Sequence, residues 1–573
     1  MSVTDIPEPN HGFDDSRRLT GPSRWYTPAS VTLTPLGRAA HDPAAHAAWA
    51  ARVRAQCAAL GWPDPRPRVV PHAAEPMLLF AAPEDLLFTA TEVNEWAWER
   101  SAAEAGERGY ELAQDLGDQP TAVFAARAAA ERKPVLVALR GAASARGLPL
   151  LEDDEAVSVG AGAGSRTWPR DALPAVADVP WAALHDVPTV LVTGSNGKTT
   201  CVRLLAAIAT TAGHATGYCC TEGVFVAGQP VHAGDYSGPA GARTVLRNPG
   251  VMLAVLETAR GGILRRGLAV KRADVAMVTN IQPDHLGEYG IESADDLAEV
   301  KLTVARAIGP SGTLVLNGAD GVLMAAARRL PHAAAARQAL FAADVDHPAL
   351  ATHRAAGGLV CGVRAGRLRL GDEDLGAIDD MPLTFGGTAA HNVQNVAAAA
   401  LAASALGLPL QALRDTLARF GSKPEDNPGR LERWSHHGAT VLLDYAHNPD
   451  GLAQLLHVAR ALKPQRLGLL LGQAGNRDDA AIAALAATAA AASPDRVVLK
   501  ELPAMLRGRA PGEVPSRLRQ GLLAAGLAAS RIEPIDDELA AALHLLAWGQ
   551  PGDVLVLPVH TRSVREALVT ALG

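Results

Sequence analysis

TVLVTGSNGKTTC, residues 189–201, reads as a β-branched strand that runs through glycines into a lysine, two threonines and the start of a helix. A strand-to-helix turn of this kind presents backbone N–H groups whose dipoles face an anion, so the stretch is read as a phosphate-binding loop. Lys198 is placed to neutralise β/γ-phosphate charge and the Thr199 hydroxyl to hold Mg²⁺. Gly194, Ser195, Asn196, Gly197 and Thr200 complete the set expected around the phosphates of ATP. The spacing departs from the strict G-x-x-x-x-G-K-[ST] pattern, because Val192 stands five residues before Gly197 and the additional glycine is Gly194. The competing reading is a glycine turn with a solvated lysine. Strand, turn, Lys-Thr and helix together argue against it.

Outward from the loop, strands and helices alternate. A helix is predicted over 197–212, strands over 251–256 and 274–279, a helix over 294–308 and a strand over 313–317. Such alternation predicts an α/β fold with a largely parallel sheet covered by helices. After Asn427-Pro428-Gly429 a second alternation follows, with strands near 440–444, 466–471, 496–500 and 553–558, which is read as a smaller doubly wound domain. On the N-terminal side the Gly/Pro/Ala-rich VSVGAGAGSRTWPRDALPAVADVP (157–180) marks a boundary. Upstream of it, helical patterns over 91–113 and 121–132 and the strand-like PVLVALRG (134–141) suggest a small α+β domain. The expected organisation is therefore an α+β domain over 1–156, a linker over 157–184, a central ATP-binding domain over 185–426 and a C-terminal α/β domain over 427–573.

Composition narrows the function. At 573 residues the chain exceeds one core and suggests about three or four domains. A net charge of −7 with dispersed Lys and Arg gives no basic footprint, so no nucleic-acid partner is expected. No apolar run reaches the roughly 18 residues that span a bilayer, and the N-terminus is polar and acidic, so no membrane partner is expected and a cytoplasmic location is. Cys57, Cys201, Cys219, Cys220 and Cys361 are scattered without C-x-x-C spacing, so they are read as reduced and structural.

The chemistry continues past the loop. VMLAVLETARGGIL (251–264) ends an apolar strand in Glu257, where α/β sheets place ligands, so Glu257 is a natural Mg²⁺ ligand; capping a helix or pairing with Arg260 are its structural alternatives. VAMVTNIQPDHLGEYG (274–289) presents Asp284 and His285 in a loop after a strand. Lys301, in ADDLAEVKLTVARAI, is by pattern an ordinary lysine on a solvated helix face beside Asp295, Asp296 and Glu299. FGGTAAHNVQNVAAAALAA (385–403) sets His391, Asn392 and Asn395 in the first turn of an alanine-rich helix, able to bond a purine or to cap the helix. GRLERW (429–434) and LLDYAHNPDGL (442–452) put Arg430, Asp444, His447 and Asn448 at strand ends.

In this order, GSNGKTT, LETARGG, TNIQPDHLG, HNVQNVAAAAL, GRLE and DYAHNPDGL resemble the motifs of the Mur ligases and folylpolyglutamate synthetases, over about residues 185–573. ETARGGILRRGL, GDYSGPAGAR (234–243) and KELPAMLRGRAPGE (500–513) are similar in particular to the Mur-type half of cyanophycin synthetases, and RRLTGPSRWYTPASVTL (17–33) resembles, more weakly, their opening segment. Those enzymes carry an ATP-grasp domain between the two portions. Here the chain runs from 157–180 straight to the phosphate loop.

The resemblance implies a Mur ligase-like fold and an ADP-forming ligase that makes an amide through an acyl phosphate. It implies addition of an amino acid such as arginine or lysine to a side-chain carboxylate of an aspartate-containing peptide or polymer, with a separate ATP-grasp protein as a further partner and a homo-oligomeric state. It assigns Lys198, Glu257, His285 and Lys301 to catalysis, and two Mg²⁺ ions to Thr199, Glu257, His285 and Lys301, the last once carbamylated. By the same resemblance Arg430 meets phosphate, Asp444 the ribose, and His391, Asn392 and Asn395 the adenine. His447, Asn448, Arg477 and Asp478 lie toward the substrate. Two rivals are weighed against it: a non-catalytic nucleotide- or polymer-binding partner of a separate ATP-grasp ligase, and a P-loop kinase or ATPase without an amine acceptor. Intact Lys198, Glu257 and His285 argue against the first, and HNVQN and DYAHNP are unexplained by the second.

Overall fold

The computed structural model describes residues 12–72, 75–107, 116, 120–283 and 286–573. The chain forms two compact units. The first comprises Met1–Gly194, Ala212–Ala339 and Ala405–Gly407, the second Ser195–Thr211, Leu340–Ser404 and Leu408–Gly573.

The first unit opens with an antiparallel sheet in the order Phe13–Leu19, Ser30–Pro35, Met77–Ala81, Arg68–Val70. The helices Pro43–Ala59 and Leu87–Glu104 share its core with Trp49, Phe80, Trp98 and Phe124. The buried indoles are satisfied: Trp49 Nε1 donates to Asn94 at 2.9 Å and Trp98 Nε1 to the Gly12 carbonyl at 2.8 Å. PVLVALRG, expected as a strand, lies instead in the helix Pro134–Ala145. Pro134 starts it, Leu136, Leu139 and Ala143 form its buried stripe, and Val135 and Val137, whose alternation suggested a strand, are 44% and 41% exposed. The stretch 157–184, expected as a linker, carries structure as well. Ala156–Val159 pairs antiparallel with Leu150–Glu152 on one side and Arg166–Pro169 on the other.

Beyond it comes the sheet that sets the site, with strands in the order Gln229–Ala233, Gly223–Val226, Thr216–Cys220, Leu253–Glu257, Thr189–Thr193, Ala273–Val278, Ile308–Asn317. From Thr216–Cys220 onward all neighbours are parallel. Thr189–Thr193 is buried at every residue, which explains a continuous β-branched run instead of alternation. The helix predicted over 294–308 is α-helical only over Ala294–Lys301, opened by a Ser293/Asp296 capping box, and tightens to a 3₁₀ turn over Leu302–Ala307.

The second unit holds the helix Lys198–Thr211, strands Val360–Arg364, Arg367–Leu370 and Glu373–Ala377, and the helix Ala390–Ala405. Its C-terminal sheet runs Glu432–His436, Ala439–Asp444, Val554–Pro558, Leu467–Leu471, Arg496–Leu499, Ile532–Pro534, parallel except for the first pair. This is the expected doubly wound arrangement, with helices packed on both faces around two cores.

Candidate active site

In the first unit, register brings polar groups to the carboxyl ends of neighbouring parallel strands. Glu257 pairs opposite Val192 and Val278 opposite Thr193, so Glu257, Thr279 and the loop's Gly194 emerge side by side. Gly194 sits at φ 146°, and a Cβ there would come within 1.8 Å of the Thr279 hydroxyl, so only glycine fits. Thr279 N–H donates to the Thr193 carbonyl at 3.0 Å and Asn317 Nδ2 to the Thr279 carbonyl at 3.2 Å, closing the strand ends together.

Lys301 departs from its pattern. It is 4% exposed, and its Nζ donates to the Gly194 carbonyl at 2.8 Å. The acids that suggested a solvated face are engaged elsewhere: Arg24 donates to Asp296 at 2.7 Å and to Glu299 at 2.8 Å. Arg260, the structural alternative as a partner for Glu257, donates to Glu288. His285 and its neighbour Asp284 lie outside the described residues.

In the second unit the loop folds on itself, Lys198 Nζ donating to the Ser195 carbonyl at 2.9 Å. Gly197 has φ 84°, and a Cβ would come within 2.2 Å of Asn395 Oδ1. Thr199 and Thr200 are buried in the first turn of the helix. Asn395 Nδ2 donates to Asn392 Oδ1 at 3.0 Å, and Asn392 Nδ2 to the Leu383 carbonyl at 2.9 Å, so these two amides are engaged with each other and with the backbone. His391 differs: burial pulls its imidazole down to about 4, and its Nδ1 is buried without a hydrogen-bond partner. A neutral ring with an unused nitrogen is a fair group for a heterocycle.

At the end of Ala439–Asp444, the Asp444 carboxylate accepts the Leu431 N–H at 2.6 Å. Burial pushes its carboxyl up, while the Arg430 guanidinium and the N–H groups of Leu431, Ala446 and Tyr445 oppose that. Leu431 takes φ 52° to make this contact, an uncommon conformation for a bulky side chain. Arg430 stacks over the Tyr445 ring at 4.6 Å. His447 Nδ1 lies 3.2 Å from the Tyr445 carbonyl. Asn448 and Asp478 each serve as a helix N-cap, for Pro449–Ala461 and Asp479–Ala491. Arg477 is 9% exposed, and its carbonyl accepts from Arg509 at 2.6 Å.

Several groups were not anticipated. Asn427 Nδ2 donates to Thr200 Oγ1 at 3.2 Å, and Asp450 accepts from Asn196 at 2.9 Å. Lys500, fully buried, donates to Glu538 and to the Pro558 carbonyl, and Glu538 in turn accepts the His560 N–H at 2.8 Å. Burial pulls Lys500 down to about 8 in spite of Glu538, and His560 lies well below its ordinary value through burial first and the Lys500 charge second. Lys500 is the last residue of one predicted strand (496–500) and His560 lies two residues past another (553–558), a signal that was available in KELPAM and LPVHTR.

Among the described residues no three His, Cys, Asp or Glu gather as a metal site. Taken each by itself, Glu257 offers a buried carboxylate at a strand end and Thr199 a buried hydroxyl in the first turn of its helix. Such oxygen donors suit Mg²⁺, which commonly keeps phosphate oxygens and waters in its remaining positions. No described helix is long and apolar enough to cross a membrane.

The chain belongs to the Mur ligase family: residues 192–403 match the Mur ligase middle domain, and residues 429–558 the Mur ligase glutamate ligase domain. Within it, the cyanophycin synthetase of Synechocystis sp. is 34% identical over 417 residues, 71% of this chain and 46% of that enzyme. That of Geminocystis herdmanii is 32% identical over 402 residues, covering 69% and 45%. The UDP-N-acetylmuramoyl-L-alanyl-D-glutamate–2,6-diaminopimelate ligase of Alkalilimnicola ehrlichii is 32% identical over 408 residues, covering 67% and 76%. The chain spans about half the length of the cyanophycin synthetases it matches.

Proposed function

We propose that this protein is an ATP-dependent carboxylate–amine ligase. An acceptor carboxylate oxygen attacks the γ-phosphorus, the bond to the β–γ bridging oxygen breaks, and ADP leaves. The amine nitrogen then attacks the acyl carbon, phosphate departs and the amine loses a proton, leaving an amide. The acceptor is a side-chain carboxylate of an aspartate-containing peptide or polymer and the amine an amino acid, arginine or lysine. A separate ATP-grasp ligase supplies the aspartate-containing backbone.

The observation that carries this reading is the buried Lys301, whose Nζ meets the Gly194 carbonyl at 2.8 Å, a reactive side chain turned into the phosphate loop and not out to solvent. The difficulty of the first step is the approach of two anions, and Lys198 and the loop N–H groups screen it. Thr199 and Glu257 would be ligands for Mg²⁺, and His285 and a carbamylated Lys301 for a second ion, which would supply further charge neutralisation. His391 meets the adenine with Asn392 and Asn395 behind it, Asp444 the ribose, and Arg430 a phosphate. His447, Asn448, Arg477 and Asp478 face the incoming amino acid.

The test is ATP turnover with mass spectrometry of products, using a β-aspartyl acceptor, a poly-aspartate primer and each amino acid, for the wild type and Lys198→Ala. Amide that depends on one amino acid and vanishes in the variant is the expected result. ADP without amide from any pair would instead favour a loop ATPase, and nucleotide binding without turnover a binding partner.

A further inference from the structure

We propose that Asn196, Asn448 and Asp450 form a clasp that holds the phosphate loop in its nucleotide-binding shape, making Asn448 and Asp450 positioning residues. The inference rests on the nucleotide half of the ligase reading. Asn196 is the loop residue between Ser195 and Gly197, and both ends of its amide are used. Its Nδ2 donates to Asp450 Oδ2 at 2.9 Å, and its Oδ1 accepts from Asn448 Nδ2 at 3.0 Å. Asn448 is itself fixed, since its Oδ1 accepts the Gly451 N–H at 2.8 Å as the cap of the helix Pro449–Ala461.

The three groups define one another's orientation. Turning the Asn196 amide over would set its oxygen against the Asp450 carboxylate and its NH₂ against the Asn448 NH₂, two repulsive contacts in place of two hydrogen bonds. Turning Asn448 over would forfeit the cap as well. The neighbouring loop positions have no slack: Gly197 cannot accept a Cβ against Asn395, and Lys198 is tied to the Ser195 carbonyl. A loop whose N–H dipoles are to meet phosphate gains by being held before the ligand arrives, because no ordering cost is then left for binding. Asp450 marks the device. A carboxylate beside a phosphate loop is electrostatically unwelcome, and its contact with Asn196 gives it a task that outweighs the repulsion.

The experiment is calorimetric titration of the full chain with ADP and Mg²⁺, for wild type, Asn196→Ala, Asp450→Ala, the double variant and Asp450→Asn, with Asp42→Ala, which removes the N-cap of Pro43–Ala59, as the control for simple cap loss. Each alanine variant should weaken ADP by about 5- to 20-fold, and the double variant by no more than about twofold beyond the weaker single. Asp450→Asn, which keeps the acceptor for Asn196, should stay within about twofold of wild type, as should Asp42→Ala. Unchanged affinity in the alanine variants, losses that multiply in the double variant, or an Asp450→Asn as weak as Asp450→Ala would each overturn the clasp. A wild type that binds ADP yet makes no amide would sink the ligase reading and leave the clasp standing; a wild type that binds no ADP would sink both.

Discussion

Lys301 takes its importance from where its nitrogen goes. Replacing it with Ala strips the Gly194 carbonyl of its donor and removes a buried cation, and the expected outcome is a fall in kcat of at least about 100-fold. Lys301→Arg keeps a positive charge but cannot be carbamylated, so rescue by Arg in steady-state assays would exclude carbamylation, whereas loss of activity in Lys301→Arg is the outcome expected of a carbamylated lysine. Gly197→Ala tests the loop from the other side. At φ 84° with Asn395 Oδ1 2.2 Å from the new Cβ, either loop or helix must shift, and ADP titration should report a loss of tenfold or more, about 1.4 kcal/mol, with little change in far-ultraviolet dichroism.

At the scale of the element, the helix Ala294–Lys301 is braced from the N-terminal region. Arg24, in the GPSRW segment, spans Asp296 and Glu299, and its carbonyl accepts from Arg306 at 3.0 Å. Arg24→Ala should therefore lower stability by about 1–2 kcal/mol in urea unfolding, and should also raise the ATP KM by loosening the helix that carries Lys301. This brace shows what sequence reading could and could not reach. Strand ends at Glu257, Thr279 and Asp444 were legible because buried parallel strands write themselves as β-branched runs that stop at a polar residue. Long-range pairs were not: nothing near Lys301 in the chain announces that Arg24 removes its acidic neighbours from solvent, or that the lysine then turns inward. The helix Pro134–Ala145 was misread because two valines spaced by two mimic a strand, and only burial separates that pattern from a helix with its valines outside. The paired strands around 157–169 were hidden by glycines and prolines that, for sequence alone, signal a boundary.

For the whole molecule, histidines kept neutral by burial set the acid limit. His391 and His332 are both pulled down to about 4, and His560 lies well below its ordinary value. In the unfolded chain each would take up a proton near pH 6.5, so the unfolded state binds more protons below that pH and stability falls as pH drops from about 6.5 toward 4. Each contributes at most about 1.4 kcal/mol per pH unit to that slope, and His391→Gln should flatten urea midpoints measured from pH 7 to 4.5 without moving the midpoint at pH 7.5 by a comparable amount. The interior also holds all five cysteines, Cys57, Cys201, Cys219, Cys220 and Cys361, every one buried and outside any disulfide. Burial pushes the Cys57 thiol up to about 12, and raises Cys219 and Cys361 as well. The native protein is thus chemically blank to thiol-directed dyes: a single cysteine engineered on its surface could carry a fluorophore with no native cysteine removed, and Ellman's reagent should colour only as the chain unfolds, turning the thiols into a built-in gauge of intactness.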